Sequence, residues 1–99
     1  METRLTWDES KRRANLRKHG LDFMDAGVVL DSRYRLDVAE VRHGERRVQS
    51  FSYVMKRLAV LTVVHTEREE TARVISFRFG SESESESEKY YEWINQEAD

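Results

Sequence analysis

The feature that most constrains the fold is a nearly continuous apolar run, RLAVLTVVHT, at residues 57–66. The run is rich in β-branched residues, and apolar side chains at both odd and even positions are typical of a strand covered on both faces. Its longest uninterrupted apolar part, residues 58–64, is far too short to cross a bilayer. The run therefore predicts the central strand of a sheet, in a chain whose 99 residues suffice for one modest core.

Alternating patterns on both sides of this run predict further strands. Residues 33–54 alternate around His43-Gly44-Glu45, which is typical of a hairpin turn, and residues 72–79 alternate again. The connections are too short for helical crossovers, so we expect an antiparallel meander of four strands. The alternation of the last strand predicts two faces, one with Ile75, Phe77 and Phe79, the other with Val74, Ser76 and Arg78.

Helical signals precede and follow the strands. Thr6 with Glu9 forms a capping-box pattern, which predicts a helix over about residues 8–18. Asp22 predicts the start of a second, short helix that stops near Leu30.

A third helix is predicted to begin in the Ser-Glu tract and to carry Tyr90 and Ile94 on one face. The predicted fold class is α+β, with two N-terminal helices, a four-stranded antiparallel sheet and a C-terminal helix. The expected order is α-α-β-β-β-β-α, in a single domain over residues 1–99.

The charges divide unevenly along the chain. Residues 1–80 carry sixteen Lys and Arg against twelve Asp and Glu, whereas residues 81–99 carry Lys89 against seven acids. This division fits either a phosphate-binding surface beside an acidic appendage or a solvated terminal helix. The absence of cysteine and of an apolar signal segment suits a protein of the reducing cytoplasm with no membrane partner.

Most familiar catalytic patterns do not occur in the sequence. His19, His43 and His65 lack the i,i+4 spacing that would aim two imidazoles at one ion. The chain also has no phosphate-binding glycine loop, serine-nucleophile motif or cysteine nucleophile. We therefore predict neither a metal nor another cofactor.

Arginine is the residue type that remains to carry chemistry. The predicted strands and turns contain Arg46, Arg47, Arg57, Arg68, Arg73 and Arg78. Guanidinium groups on one sheet face can bind phosphates and offset the charge that develops when a phosphodiester is attacked. RNA supplies its own nucleophile, the 2′-hydroxyl, so a ribonuclease needs only positioning, cations and proton transfer. The alternative is that these arginines serve solubility; His19, at a helix end, is either a proton-transfer group or a capping residue.

The acidic tract SESESESE at residues 81–88 has several interpretations. Ser81 with Glu84 and Ser83 with Glu86 both fit a capping box, and acids in the first turn suit the helix dipole. We interpret the tract mainly as a helix start, with a solvated linker and phosphorylated serines as alternatives.

Four blocks of sequence, in order, resemble the BrnT family of toxins. The first block, residues 6–26, resembles a signature of the form WDE-x-K-x-x-x-N-x-x-KHG followed by a hydrophobic residue, any residue and Phe. GERR at 44–47, HTER at 65–68 and RVISFR at 73–78 resemble the family's GE-x-R, YTER and RIISAR, with His65 in place of the common tyrosine. The similarity extends from about Leu5 to Glu92.

The resemblance implies a ribonuclease toxin of a bacterial type II toxin-antitoxin system with a RelE-like fold. It also implies an RNA substrate and a cognate DNA-binding, BrnA-like antitoxin, which covers the active surface and alone contacts operator DNA. The catalytic candidates that it carries over are Lys18, His19, Arg47, Arg68 and Arg78. The three arginines would bind phosphate and stabilise charge, and His19 and Glu67 are suggested for proton transfer.

The chain departs from the family pattern just after Arg78. Phe79 replaces a basic residue, and SESESESE stands where the family carries a mostly basic helix. The lost cations predict weaker RNA binding at physiological salt. Two functions stay open: a metal-independent endoribonuclease that inhibits translation by cutting RNA, and a weakened homologue that acts as an antitoxin-binding module and corepressor. A stand-alone nucleic-acid binder is disfavoured by the net charge of −2.

Overall fold

The computed structural model describes residues 4–80 and 84–98. Within these residues, five strands form one sheet in the order β1-β5-β4-β3-β2. The strands are β1 (Arg4–Trp7), β2 (Leu36–Arg42), β3 (Glu45–Val54), β4 (Ala59–Arg68) and β5 (Thr71–Phe79). The helical elements are α1 (Glu9–His19), α2 (Gly27–Leu30), α3 (Glu84–Ala98) and 3-10 turns at Phe23–Asp25 and Met55–Arg57.

The sheet differs from the predicted one. The expected four-stranded antiparallel sheet in the order α-α-β-β-β-β-α is wrong, because β1 precedes the first helix and pairs with β5 in parallel. The four residues RLTW are too few to show a strand period. They form a strand because β5 offers its edge, with Leu5 opposite Ala72 and Trp7 opposite Val74. The distant partner strand, rather than the local sequence, determines this element.

Helix α1 is capped by Asp8 and not by Thr6. The Asp8 side chain accepts a hydrogen bond from the Lys11 N–H at 3.1 Å, whereas Thr6 belongs to β1. The predicted capping box of Thr6 and Glu9 is therefore wrong, although the predicted helix is confirmed at Glu9–His19. Gly20 ends the helix with a φ of 72°, a left-handed conformation that glycine adopts without strain.

The second predicted helix is reduced to two short pieces. Asp22 does act as a cap, since its side chain accepts a hydrogen bond from the Met24 N–H at 3.0 Å. However, a 3-10 turn follows this cap, and α2 is a single turn that ends at Leu30. Burial of the apolar residues in this segment, rather than helix length, fixes it to the sheet.

The core lies on both faces of β4, which confirms the predicted central strand. On one face, here called the α2 face, Leu61 and Val63 belong to a buried cluster with Val29. On the other, here called the α3 face, Val60 belongs to a buried cluster with Phe51 and Tyr90. Apolar residues at both parities of β4 are therefore explained by two separate covering layers.

The C-terminal helix covers only part of the α3 face. Tyr90 is buried in that cluster and Ile94 packs against it, as their predicted spacing requires. The predicted capping boxes begin at Ser81 and Ser83, which lie outside the described residues. Among the residues that the structure describes, no helix has the length and apolar character needed to span a membrane.

A β-bulge in β5 changes which residues share a face. Val64 lies opposite Ser76 and His65 lies opposite Val74, so Ile75 is an extra residue in β5. Val74 consequently joins Phe77 in the buried cluster of the α2 face. The prediction that Val74 shares a face with Arg78 is wrong, because the bulge reverses the alternation between the two halves of the strand.

A buried asparagine attaches α1 to the edge of β5. Asn15, which is 8% exposed, donates hydrogen bonds to the Leu21 carbonyl oxygen at 3.0 Å and to the Phe77 carbonyl oxygen at 2.7 Å. Its side-chain oxygen accepts a hydrogen bond from the Phe77 N–H at 3.1 Å. Because β1 pairs with β5 only as far as Val74, Asn15 satisfies backbone groups that the short β1 leaves unpaired.

Candidate functional site

The strand register brings the three predicted arginines to the α3 face. Arg78 lies opposite Thr62, and Thr62 lies opposite Phe51, which belongs to the α3-face cluster. Arg68 is an even number of residues from Thr62 along β4, and Arg47 is an even number from Phe51 along β3. Side chains at even separations in a strand project to the same face, so all three arginines share it.

The bulge adds Arg73 to the same face. Arg73 lies opposite Thr66, which has the same parity as Thr62 in β4. In a regular strand Arg73 and Arg78 would project to opposite faces, since they are five residues apart. Arg73 is one of the strand arginines noted in the sequence, but it is not among the candidates that the family resemblance carried over, and no local pattern marks the bulge.

Arg68 and Arg73 flank an open depression at one end of the sheet. Both arginines are exposed. The depression has a volume of about 420 Å³ and is lined by Thr6, Thr66, Arg68, Glu69, Thr71 and Arg73. Two guanidinium groups beside several hydroxyl groups provide many hydrogen-bond donors, which is the chemistry that phosphate recognition requires. We call this feature the arginine depression.

Arg47 and Arg78 are held more firmly than the arginines of the depression. Each is half-buried. The Arg47 Nε donates to the Glu45 carboxylate at 3.0 Å, and a guanidinium nitrogen of Arg78 donates to the Ser76 hydroxyl at 3.1 Å. These contacts orient the two guanidinium groups.

The other predicted site residues come from different parts of the fold. Lys18 and His19 form the end of α1, which contacts β5 through its edge, so they do not belong to the sheet face that carries the arginines. Glu67 has the opposite parity to Arg68 in β4 and therefore lies on the α2 face. The structure thus places Arg47, Arg68 and Arg78 on one sheet face and Glu67 on the other.

Glu67 instead belongs to a polar cluster on the α2 face that the sequence did not reveal. Its members are Arg35, Asp37, Ser50, His65 and Glu67. Arg35 makes two hydrogen bonds to the Asp37 carboxylate, at 2.8 and 2.9 Å, and one to Glu67 at 3.2 Å. The Ser50 hydroxyl donates to Asp37 at 2.6 Å and lies 2.7 Å from the Nε2 of His65.

This polar cluster resembles a catalytic arrangement only in its residue types. Ser50 and His65 are both fully buried, so a substrate cannot reach them. Because the Ser50 hydroxyl donates to Asp37, it accepts from the Nε2–H of His65, which leaves Nδ1 unprotonated in the neutral ring. That Nδ1 is buried without a hydrogen-bond partner among the described residues and lies 3.7 Å from the Glu67 carboxylate.

The environment of His65 lowers its pKa below the ordinary value of 6.5. Burial is the largest influence; the carboxylates of Glu67 and Asp37 oppose it, and Arg35 adds to it. Asp37 titrates in a different range: burial raises its pKa, but hydrogen bonds from Arg35 and Ser50 leave the pKa below the ordinary 3.8. At pH values above the pKa of Asp37 and below 6.5, His65 is the member of the cluster whose protonation couples folding to pH.

We expect the free energy of unfolding to fall as the pH is lowered from 6.5 towards the folded-state pKa of His65. In that window the unfolded chain protonates this histidine and the folded chain does not, so acid favours unfolding. The measurement is urea unfolding between pH 5 and 7.5 for the natural chain and for His65→Gln, whose amide can still donate to Ser50. The decrease in the free energy of unfolding on acidification should be smaller in His65→Gln. It should be unchanged in His43→Gln, which replaces an exposed histidine. An equal loss in all three chains would contradict the prediction.

Side chains that could bind a metal ion do not come together in the described part of the chain. Within residues 4–80 and 84–98, no three His, Asp or Glu side chains are placed to hold one ion.

Comparison with known proteins gives one family. The sequence model of a family described as ribonuclease toxin, BrnT, of type II toxin-antitoxin system matches residues 7–84. A search of curated proteins finds no match. The matched region includes α1 and the arginines Arg47, Arg68, Arg73 and Arg78. A toxin of this type has an antitoxin as its partner. The chain therefore belongs to the BrnT family of ribonuclease toxins of type II toxin-antitoxin systems.

Proposed function

We propose that this protein is a metal-independent endoribonuclease that inhibits translation in the cytoplasm by cutting RNA. The observation that carries the proposal is that Arg47, Arg68, Arg73 and Arg78 share one sheet face. That face is only partly covered by α3, and two of the arginines flank an open depression. The proposed partner is a BrnA-like, DNA-binding antitoxin, through which alone the toxin reaches operator DNA.

The proposed chemistry uses the 2′-hydroxyl of the RNA as the nucleophile. Its oxygen attacks the adjacent phosphorus, the bond from phosphorus to the 5′-oxygen breaks, and a cyclic phosphate and a 5′-hydroxyl result. Arg68 and Arg73 would bind the phosphate, while Arg47 and Arg78, held by Glu45 and Ser76, would stabilise charge in the transition state. Oriented guanidinium groups suit this role because they require little reorganisation during the reaction.

Proton transfer is assigned by the resemblance rather than by contacts. His19 stays the proposed proton-transfer candidate, and its neighbour Lys18 stays a catalytic candidate, since both belong to the family signature that ends α1. Glu67 is a poor candidate, because it lies on the α2 face and contacts Arg35. Cleavage that survives Glu67→Gln but not His19→Gln would agree with this assignment.

The alternative function is a weakened toxin that binds the antitoxin and acts as a corepressor. The observation that favours it is the position of α3, which follows β5 after Gly80 and contains acidic residues from its first turn onwards. Negative charge that follows so soon after Arg78 in the chain opposes the approach of RNA phosphates. The two functions differ in whether the unmodified chain cuts RNA.

We expect the purified chain to cleave labelled total RNA at low salt in the presence of EDTA. The matched comparison changes the four glutamates of the tract, Glu82, Glu84, Glu86 and Glu88, to lysine in one variant and to glutamine in another. Cleavage by the natural chain supports the endoribonuclease. Cleavage by the lysine variant alone supports the weakened homologue. The glutamine variant removes the negative charges without adding positive ones, so it distinguishes relief of repulsion towards RNA from added attraction. Intact RNA with all three chains would contradict both the nuclease activity and its proposed masking.

A further inference from the structure

The two edge strands of the sheet each add an arginine to the end that holds the arginine depression. Arg4 of β1 lies opposite Thr71 of β5, one of the residues that line the depression. Arg42 of β2 lies opposite Glu45 of β3, which is two residues from Arg47 and therefore projects to the same face. Residues paired directly across neighbouring strands share a face, so both edge arginines belong to the α3 face. Both are exposed, and every strand of the sheet thus contributes an arginine to this end.

On the β2 side of this end, each arginine lies opposite a glutamate. Arg42 is paired with Glu45, and Arg47 is paired with Glu40. Glu45 also accepts a hydrogen bond from the Arg47 Nε at 3.0 Å. Two guanidinium groups therefore lie among two carboxylates, and a phosphate that crossed this side would approach negative charge as closely as positive charge.

On the β1 side, the direct partners of the arginines are threonines. Arg4 and Arg68 both lie opposite Thr71, one on each side of it, and Arg73 lies between two further threonines. The turn at residues 69–70 carries two glutamates, but neither forms an ion pair with these arginines within the described ranges. Three guanidinium groups therefore lie among hydroxyl groups, which can also donate hydrogen bonds to a phosphate.

We propose that Arg4 binds an RNA phosphate, and that the RNA strand held in the arginine depression continues across β1 rather than across β3 and β2. Neighbouring strands lie about 4.8 Å apart, and Arg4 is one strand from Arg73 and two from Arg68. A positively charged surface that follows the backbone is a common way to bind single-stranded RNA. Arg4 precedes residues 7–84, so the match to the family does not include it. The inference rests on the proposed RNA substrate, but not on RNA cleavage.

The test measures the Kd of the full chain for a single-stranded 2′-O-methyl RNA at a series of salt concentrations. The test variant is Arg4→Ala, and the matched control is Arg42→Ala. Each removes one exposed arginine from an edge strand, on the same face and at the same end of the sheet.

We expect Arg4→Ala to raise the Kd about tenfold at low salt and to reduce the slope of log Kd against log salt by about 0.7, the value for one phosphate of a single strand. Arg42→Ala should change the Kd and the slope little, because its surroundings already contain as many carboxylates as guanidinium groups. Arg4→Lys keeps the positive charge and should restore the slope of the natural chain.

Two results would overturn the inference. The first is an Arg4→Ala variant with the Kd and salt slope of the natural chain; if that variant instead loses affinity for the antitoxin, Arg4 belongs to the protein interface. The second is an equal loss of affinity in Arg4→Ala and Arg42→Ala, which would show that the edge arginines act only through net charge.

The methylated probe keeps this test separate from the nuclease proposal, because its 2′-oxygen cannot act as the nucleophile. If the natural chain and the variants bind the probe as expected while ordinary RNA stays intact, the nuclease proposal fails and the phosphate site at Arg4 stands. If the natural chain does not bind the probe at any salt concentration, the phosphate site at Arg4 fails as well.

Discussion

Replacing Arg68 and Arg73 together with alanine should lower kcat/KM for RNA cleavage by about a thousandfold. Both side chains flank the arginine depression and are exposed, so their removal weakens phosphate binding without creating a cavity. The same variant should bind a non-cleavable 2′-O-methyl RNA less tightly. It should also reduce the slope of log Kd against log salt by about 0.7 for each RNA phosphate that the variant no longer neutralises. The binding measurement is independent of the cleavage rate, so it also applies if the acidic tract suppresses activity.

Arg46→Ala is the matched control for this double variant. Arg46 is an exposed arginine of β3 that precedes Arg47 and so projects to the opposite face. The Arg46 variant should retain cleavage and the salt slope of the natural chain, although it removes one positive charge. If it loses as much activity per arginine as the double variant, the arginines act through net charge alone and the depression is not a phosphate site.

Replacing Asn15 with leucine should lower the free energy of unfolding by about 4 kcal/mol. Leucine has a similar size but no polar atoms, so the Phe77 N–H and C=O and the Leu21 C=O lose their hydrogen bonds in a buried position. Such a decrease is a large part of the stability of an ordinary small domain. Urea unfolding at neutral pH, followed by circular dichroism, measures it.

Asn95→Leu is the matched control for Asn15→Leu. Asn95 is an exposed asparagine of α3, and surface changes of this kind usually alter stability by less than about 0.5 kcal/mol. Similar small effects of both substitutions would show that Asn15 does not secure α1 to the sheet. A large effect of Asn15→Leu alone would confirm that this side chain substitutes for a missing stretch of β1.

Local patterns predicted the parts of the fold that depend on neighbouring residues. The apolar run around Val60–Val64 identified the central strand, and the interval between His19 and Asp22 separated α1 from the following turn. The parts that were missed depend on distant residues. β1 exists because β5 offers an edge, and no short window of sequence contains both strands.

The candidate site, like the fold, was predictable where it depends on local motifs and not where it depends on strand pairing. The motifs around Arg47, Arg68 and Arg78 identified three cations, but only the strand register places them on one face. Arg73 was not among the candidates that the family resemblance carried over, and the bulge at Ile75 that brings it to this face has no firm sequence signal. The polar cluster around His65 was missed because its members come from three strands and the segment before β2.

The attachment of the N-terminal elements to β5 also sets the order in which a newly made chain can fold. Strands β2 to β5 form successive hairpins and can pair as they emerge from the ribosome, because few residues separate the partners. β1 and Asn15 are synthesised first, but their partners Ala72 and Phe77 are synthesised much later. Asn15 precedes Phe77 by 62 residues. The strand that contains these partners, β5, also supplies Arg73 and Arg78. A nascent chain that stops before β5 therefore lacks both the strand that pairs with β1 and two arginines of the proposed phosphate-binding face.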